Sequence, residues 1–344
     1  MSVDYTIEKV FNKTTCSSAI HKAVLFVEDT KGDFSASYGY GGMDKNSPFF
    51  MASVTKLFIT TIILILREQK KISLDAVLGE YLDNQIISGL HIYKQHDYSH
   101  KLTVANLLFQ TSGLPDGLEE GGFIKRLVVK DVDVTYEEVL NKTKELYPRF
   151  APNTANKAYY SDTNFRLLAN IIENVAEMPL SEVYKKFICN PLGMSNTYLP
   201  VSHDDFIPKI YYKNNPLFPQ KFLTSSYNYD AISTAEDMML FIKAFWNGIL
   251  FPKNIFDELS VYRKMQITMG PLYYGGGYMQ IPMPSLYSLF MGKGELIGHS
   301  GSTGSFAFYY PFKDLYFVGD VNQMSNPGIP ISLVMKLSIK THAV

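Results

Sequence analysis

Near the start of the chain, two runs of alternating apolar and polar residues, AVLFVED and SASYGYG, flank a turn that contains Asp29, Lys31, Gly32 and Asp33. A period of two on both sides of a turn predicts a β-hairpin. Before it, TIEKVFNKT suits a short helix. After it, the spacing changes: a helix is predicted from near Ser53 to about Gln69, and its stretch LFITTIILIL is apolar on every side. Such a helix is buried, yet the run is too short to span a bilayer.

From Ser73 to about Glu182 the pattern is helix and loop. Thr103 caps VANLLFQ, and Thr135 caps YEEVLNKTKEL with Glu138 at the capping-box position. DTNFRLLANIIENVA, residues 162–176, has apolar residues at helical spacing. Pro and Asn thicken over residues 200–219, which reads as surface loop. Thr234 then caps AEDMMLFIKAFWNG, which stops at Gly248. The last third returns to strands, YGGGYMQI, FAFYYP and LYFVGDV, with ISLVMKLSIK as a closing helix.

Strands at both ends with helices between predict an α/β chain of the α+β type. Its mixed, mainly antiparallel sheet is built from both termini, with flanking helices and an inserted, mostly helical domain. The expected division is a sheet domain of residues 1–52 and 225–344, a helical domain of residues 53–224, and an active site between them.

Composition narrows the function classes. Of 344 residues, 46% are apolar and 19% charged, below the ~25% charged of an average globular chain, so a compact body is expected. A net charge of −1 gives no support to a nucleic-acid or anionic-membrane partner. Cys16 and Cys189 make no disulfide framework and read as two ordinary buried thiols. There is no CxxC or HExxH, and His91, His96 and His100 fall in a polar stretch that reads as solvated loop; neither metal nor cofactor is expected. MSVDYTIEKV lacks a basic segment followed by an apolar one, so a cytoplasmic protein without a membrane segment is expected. Nothing in the pattern indicates an oligomeric state.

The chemistry centres on MASVTKLFITTIILILREQ. Ser53 and Lys56 lie three apart at a helix start, a spacing that puts both side chains on one face. As a plain capping site it breaks two rules. A capping box wants Glu or Gln where Lys56 stands, and a cation in the first turn opposes the helix dipole. A lysine at the mouth of a buried helix needs a partner or an altered pKa, and local rules are broken most often at functional sites. Free N–H groups at the helix start also suit a developing negative charge.

After SVTK come, in order, LLFQTSGLPD, AYYSDTNFRLLANIIE, NPLGMSNTYLP, ISTAEDMMLF and IGHSGSTGSFAFYYP. Together these resemble the class C serine β-lactamases and their relatives, the D-amino-acid-specific peptidases and the penicillin-binding-protein-like esterases. The resemblance implies a β-lactamase/transpeptidase-like fold and an acyl-enzyme on Ser53. It implies Tyr160 as general base, or as proton relay with Lys56. The family's Tyr-x-Asn is here Tyr160-Ser161-Asp162, and an ionised Asp162 cannot donate the hydrogen bond that the asparagine amide gives to substrate. It favours a cationic or neutral substrate, so peptidase or esterase activity is expected ahead of β-lactam hydrolysis. Tyr212-Lys213-Asn214 and Ser226-Tyr227-Asn228 are rival placements without Tyr160's flanking context.

The third motif is His299-Ser300-Gly301. The resemblance implies that Gly301 lets substrate backbone approach, that Ser300 lines the substrate strand, and that the Ser302 N–H joins that of Ser53 as an oxyanion donor. His299 is expected to bind a substrate carboxylate when protonated or to hydrogen-bond Tyr160 when neutral, giving a pH dependence near its ordinary pKa of ~6.5. The expected partner is a small-molecule or peptide substrate. Two functions remain open: a serine hydrolase of esters, amides or D-amino-acid peptides (an aminopeptidase, carboxypeptidase or esterase), or a penicillin-binding sensor that acylates without turnover.

Overall fold

A computed structural model describes residues 3–284 and 291–341. The hairpin at the start is β1, Ala23–Asp29, and β2, Ser35–Tyr40. Asp29 Oδ1 accepts the Gly32 N–H across the turn at 2.6 Å, and Gly32 takes φ +79°, which glycine adopts without a Cβ clash. The late strands are β3 (Arg263–Lys264), β4 (Tyr273–Tyr274), β5 (Met279–Pro282), β6 (Glu295–Ser300), β7 (Ser305–Tyr310) and β8 (Leu315–Asp320).

All eight form one sheet in the order β2-β1-β8-β7-β6-β5-β4-β3, and every described pairing in it is antiparallel. The expected sheet built from both termini is therefore present: β1 lies beside β8, with Val24 opposite Asp320.

All six residues of β8 are buried, as in a strand covered on both faces. Helices α1 (Val3–Thr15) and α6 (Gly328–Lys340) pack on each other and against the sheet, while α5 (Ala235–Asn247) lies along β1, β7 and β8. Between them come α2 (Lys56–Glu68), α3 (Val104–Leu108) and α4 (Asp162–Ala176), packed together. The caps act as the sequence implies. Thr103 and Thr135 form capping boxes with Asn106 and Glu138, Thr234 accepts the Asp237 N–H, and Gly248 ends α5 with φ +70°.

Three details differ from the sequence reading. His91 is fully buried, with Nε2 donating to the Phe150 carbonyl at 3.0 Å; a polar neighbourhood in sequence hides a backbone carbonyl brought in from elsewhere. Cys16 is exposed, and only Cys189 is buried. The stretch 200–219 carries a small hairpin, Ile210–Tyr212 with Asn215–Leu217. No helix among the described residues is long and apolar enough to cross a membrane.

The buried end of β8 gives a stability prediction. Asp320 is 2% exposed, and burial raises its carboxyl to about 8, against the lowering effect of the Asn322 N–H it accepts. The folded pKa lies above the unfolded one. The unfolded chain therefore sheds this proton first, and stability falls as pH rises from ~4 towards 8. Asp320→Asn removes that loss while keeping the acceptor for Asn322. It should stabilise the protein by ~1–3 kcal/mol at pH 9 and lose that advantage near pH 4. Denaturant titrations at the two pH values check this; an equal difference at both would refute it.

Candidate active site

Ser53 sits in a tight turn, Ala52–Thr55, that runs directly into α2. The segment before it, Phe49–Phe50, pairs with Ile232–Ser233. The Met51 N–H donates to the Ala231 carbonyl at 2.9 Å, and the Met51 carbonyl accepts from Ser305 Oγ at 2.6 Å. Ala52, held by these ties, takes φ +45°. A non-glycine residue in that region is strained, and surrounding contacts must hold it there.

Lys56 is fully buried. Its Nζ donates to Ser53 Oγ at 3.1 Å and to Asp162 Oδ1 at 2.6 Å, and lies 5.3–5.5 Å from the ring centroids of Tyr160, Phe165 and Tyr229. Burial alone would lower the lysine's pKa. The charges of Asp162, Tyr160 and Asp230 outweigh that and hold it above the ordinary lysine range. Asp162 shows the complementary balance: burial would raise its carboxyl, but the Lys56 ammonium and the hydrogen bonds it accepts bring it below the usual carboxylate value. Both directions describe one ion pair, ammonium on carboxylate.

Asp162 opens α4, and its N–H donates to Asp116 Oδ2 at 2.8 Å. Its oxygens also accept from Tyr229 Oη at 2.5 Å and Tyr227 Oη at 2.8 Å. The carboxylate is thus engaged by protein donors, and the charge it presents is already paired with Lys56. Tyr160 is half-buried, with its hydroxyl in hydrogen-bond reach of Ser53 and Lys56. Burial raises its pKa, and the lysine's charge opposes the rise without cancelling it.

His299 does not fit the role expected of it. It is fully buried; Nδ1 donates to the Ser300 carbonyl at 2.9 Å, and Nε2 faces Tyr274 Oη at 3.3 Å. Burial, with the Lys56 charge, lowers its pKa to about 3. At neutral pH it is an uncharged ring bonded to Tyr274, with no charge for a substrate carboxylate; towards Tyr160 it makes a ring contact, with centroids 6.1 Å apart.

Gly301 is also used differently. A Cβ there would lie 2.1 Å from Ser305 Oγ and 2.7 Å from the Met51 carbonyl, so the close approach is between two pieces of this chain, not between chain and substrate. Ser300 Oγ points at Met279 Sδ, 3.9 Å away. Ser302 is exposed and lines the same cavity as Ser53.

That cavity has a volume of about 60 Å³. Ser53, Asp162, Asp230, Ser302 and Thr303 line its polar side; Ile124, Leu127, Phe222 and Leu223 are among its apolar lining. A larger groove, about 960 Å³, lies between α1 and α6 and contains none of these residues. Among the described residues no group of His, Cys, Asp and Glu could hold a metal ion.

Sequence reasoning missed Asp116, Tyr229 and Asp230, and named Tyr227 only within a rival motif placement. A signal existed for the two tyrosines: in YNYD, Tyr227 and Tyr229 are two apart, and in an extended segment such residues share a face. Of the rival placements, only Tyr227 reaches the site. Ser226 Oγ accepts the Tyr136 N–H, and the Lys213 N–H donates to Gln323 Oε1.

Putative penicillin-binding protein PbpX of Bacillus subtilis (strain 168) is 25% identical over 268 residues, 73% of this chain and 60% of that protein. Penicillin-binding protein 4* of the same strain is 29% identical over 168 residues, 47% of this chain and 34% of that protein. The chain thus spans 60% and 34% of these relatives' lengths. A D-stereospecific amidohydrolase from Streptomyces sp. shares the fold with a TM-score of 0.77 at 21% identity, covering 95% of this chain and 97% of that one. D-amino acid amidase from Ochrobactrum anthropi SV3 does so with a TM-score of 0.77 at 18% identity, covering 97% and 98%. The Beta-lactamase family profile matches residues 22–331, a span that runs from the first strand of the sheet into its closing helix, and the chain belongs to that family.

Proposed function

We propose that this protein is a serine hydrolase that works through an acyl-enzyme on Ser53. The observation that carries the reading is the buried Lys56 ammonium, bonded at once to Ser53 Oγ and Asp162 beside the Tyr160 hydroxyl. Ser53 Oγ attacks a carbonyl, and its proton enters the Lys56–Tyr160–Asp162 network. That network titrates as a unit, so the accepting atom belongs to the group and not to one residue. The N–H groups of Ser53 and Ser302 hold the oxyanion. The leaving group departs with the proton, and water then cleaves the acyl ester.

The substrate is an ester, amide or D-amino-acid peptide rather than a β-lactam. Among the described residues no Lys, Arg or His lines the cavity, and His299 is neutral, so a substrate carboxylate has no cation to meet. The fold's likeness to D-amino acid amidase supports the same choice. A second reading has its own support: Asp162 holds Lys56 as an ammonium, which slows any proton uptake by lysine and suits a protein that acylates and stalls.

A neutral fluorophosphonate probe tests the nucleophile. Peptide mapping should find the adduct on Ser53, and an adduct mapped to another residue rejects the assignment. A panel of nitrocefin, short acyl esters and D-amino-acid amides then separates the readings. Steady turnover of esters or amides supports the hydrolase, and a burst without turnover supports the sensor.

A further inference from the structure

Asp230 is the unexplained group of this site. It lies beside Ser53 in the lining of the small cavity, and its Oδ1 is buried without a hydrogen-bond partner among the described residues. Thr55 hydrogen-bonds the Asp230 side chain, and the other neighbouring donors are committed elsewhere. Lys56 bonds Ser53 and Asp162, Tyr227 and Tyr229 both donate to Asp162, and the Ala231 N–H donates to Thr55 Oγ1. A buried carboxylate oxygen left unpaired is costly, and such groups persist where a ligand completes them.

The charge balance points the same way. Asp116, Asp162 and Asp230 surround one lysine that Asp162 already engages. Burial, with the Asp162 charge adding to it against Lys56, lifts the Asp230 carboxyl to about 7. What the cavity lacks is a cation.

We propose that Asp230 receives the ammonium group of the substrate, and that the protein therefore acts on amides or esters of small apolar α-amino acids whose amine is free. The cavity, at about 60 Å³, holds roughly four water-sized groups. That suits a side chain of alanine to valine size against Ile124, Leu127 and Phe222. The amine and carbonyl of an α-amino acyl group are separated by one carbon, so a substrate whose ammonium meets Asp230 presents its carbonyl in the same small cavity that Ser53 lines. This assignment rests on the acyl-enzyme reading above.

The test uses the D and L forms of alanine p-nitroanilide, each with a free or an N-acetylated amine. With the preferred enantiomer, the free amine should be favoured in kcat/KM by ~100-fold, as expected for a buried charge pair. Asp230→Asn should bring that ratio below ~5-fold, and Asp230→Glu should restore part of it. Propylammonium should slow fluorophosphonate labelling of Ser53, while propanol should not.

An unchanged ratio in a folded Asp230→Asn protein overturns the proposal. If that variant does not fold, the parent protein decides alone: no free-amine preference and no protection by propylammonium overturns it, and both together support it. Should the probe label Ser53 without either effect, the ammonium assignment fails and the serine hydrolase stands. Failure to label Ser53 at all removes the hydrolase reading itself.

Discussion

Ser53→Ala is expected to lower turnover of p-nitrophenyl esters by at least ~10⁴-fold, because the attacking oxygen is gone and only binding and oxyanion contacts remain. Stability should change by less than ~1 kcal/mol: Lys56 loses one acceptor and keeps its ion pair with Asp162. This separates a chemical loss from an unfolded one. Thermal unfolding and ester hydrolysis measured on the same preparation give the answer. A variant that hydrolyses at the parent rate shows that another group attacks.

Asp162→Asn has the second large effect, and it acts on stability and proton transfer together. It restores the asparagine of the family's motif but leaves the buried Lys56 without its carboxylate. Breaking a buried pair by removing one partner costs ~3–5 kcal/mol. The sign of the pH dependence also changes. In the parent, the folded lysine pKa is raised, so its contribution is complete below the unfolded value of ~10.4 and is lost above it. In the variant, burial without the carboxylate lowers the folded pKa, so stability falls as pH drops below ~10. The gap between the two proteins should thus open below pH ~10 and persist until Asp162 is protonated in the parent, below the ordinary carboxylate range. Unfolding curves at pH 5, 7.5 and 10.5 test this. In single-turnover acylation, the acid limb of the rate profile should move to lower pH, since the neutral amine becomes available. A limb that stays in place excludes lysine as the group that takes the serine proton.

Much of this architecture was legible in local patterns. The hairpin of residues 23–40, the buried helix after Ser53 and the caps at Thr103, Thr135 and Thr234 follow from periodicity and from side chains that satisfy helix-end N–H groups. The convergence of Ser53, Lys56 and Tyr160 was legible through the motif resemblance.

What stayed hidden depends on contacts distant in sequence. Nothing near His91 reveals the Phe150 carbonyl that buries it. Nothing near His299 announces that the ring is enclosed with Tyr274 and driven neutral. Asp162 was visible as a departure from the motif, but its setting was not: two tyrosines more than sixty positions away hold the carboxylate that anchors the lysine.

The pairing of the first strand with the last has a consequence for biosynthesis. As the polypeptide leaves the ribosome, Ala23–Asp29 can form its hairpin, yet its other edge stays open until Leu315–Asp320 emerges. Helices such as Lys56–Glu68 and Asp162–Ala176 are complete long before then, and must wait with apolar faces uncovered. Nascent chains of this protein are therefore most exposed to aggregation and to chaperone capture until Leu315–Asp320 has emerged, and that strand acts as the latch that ends the period.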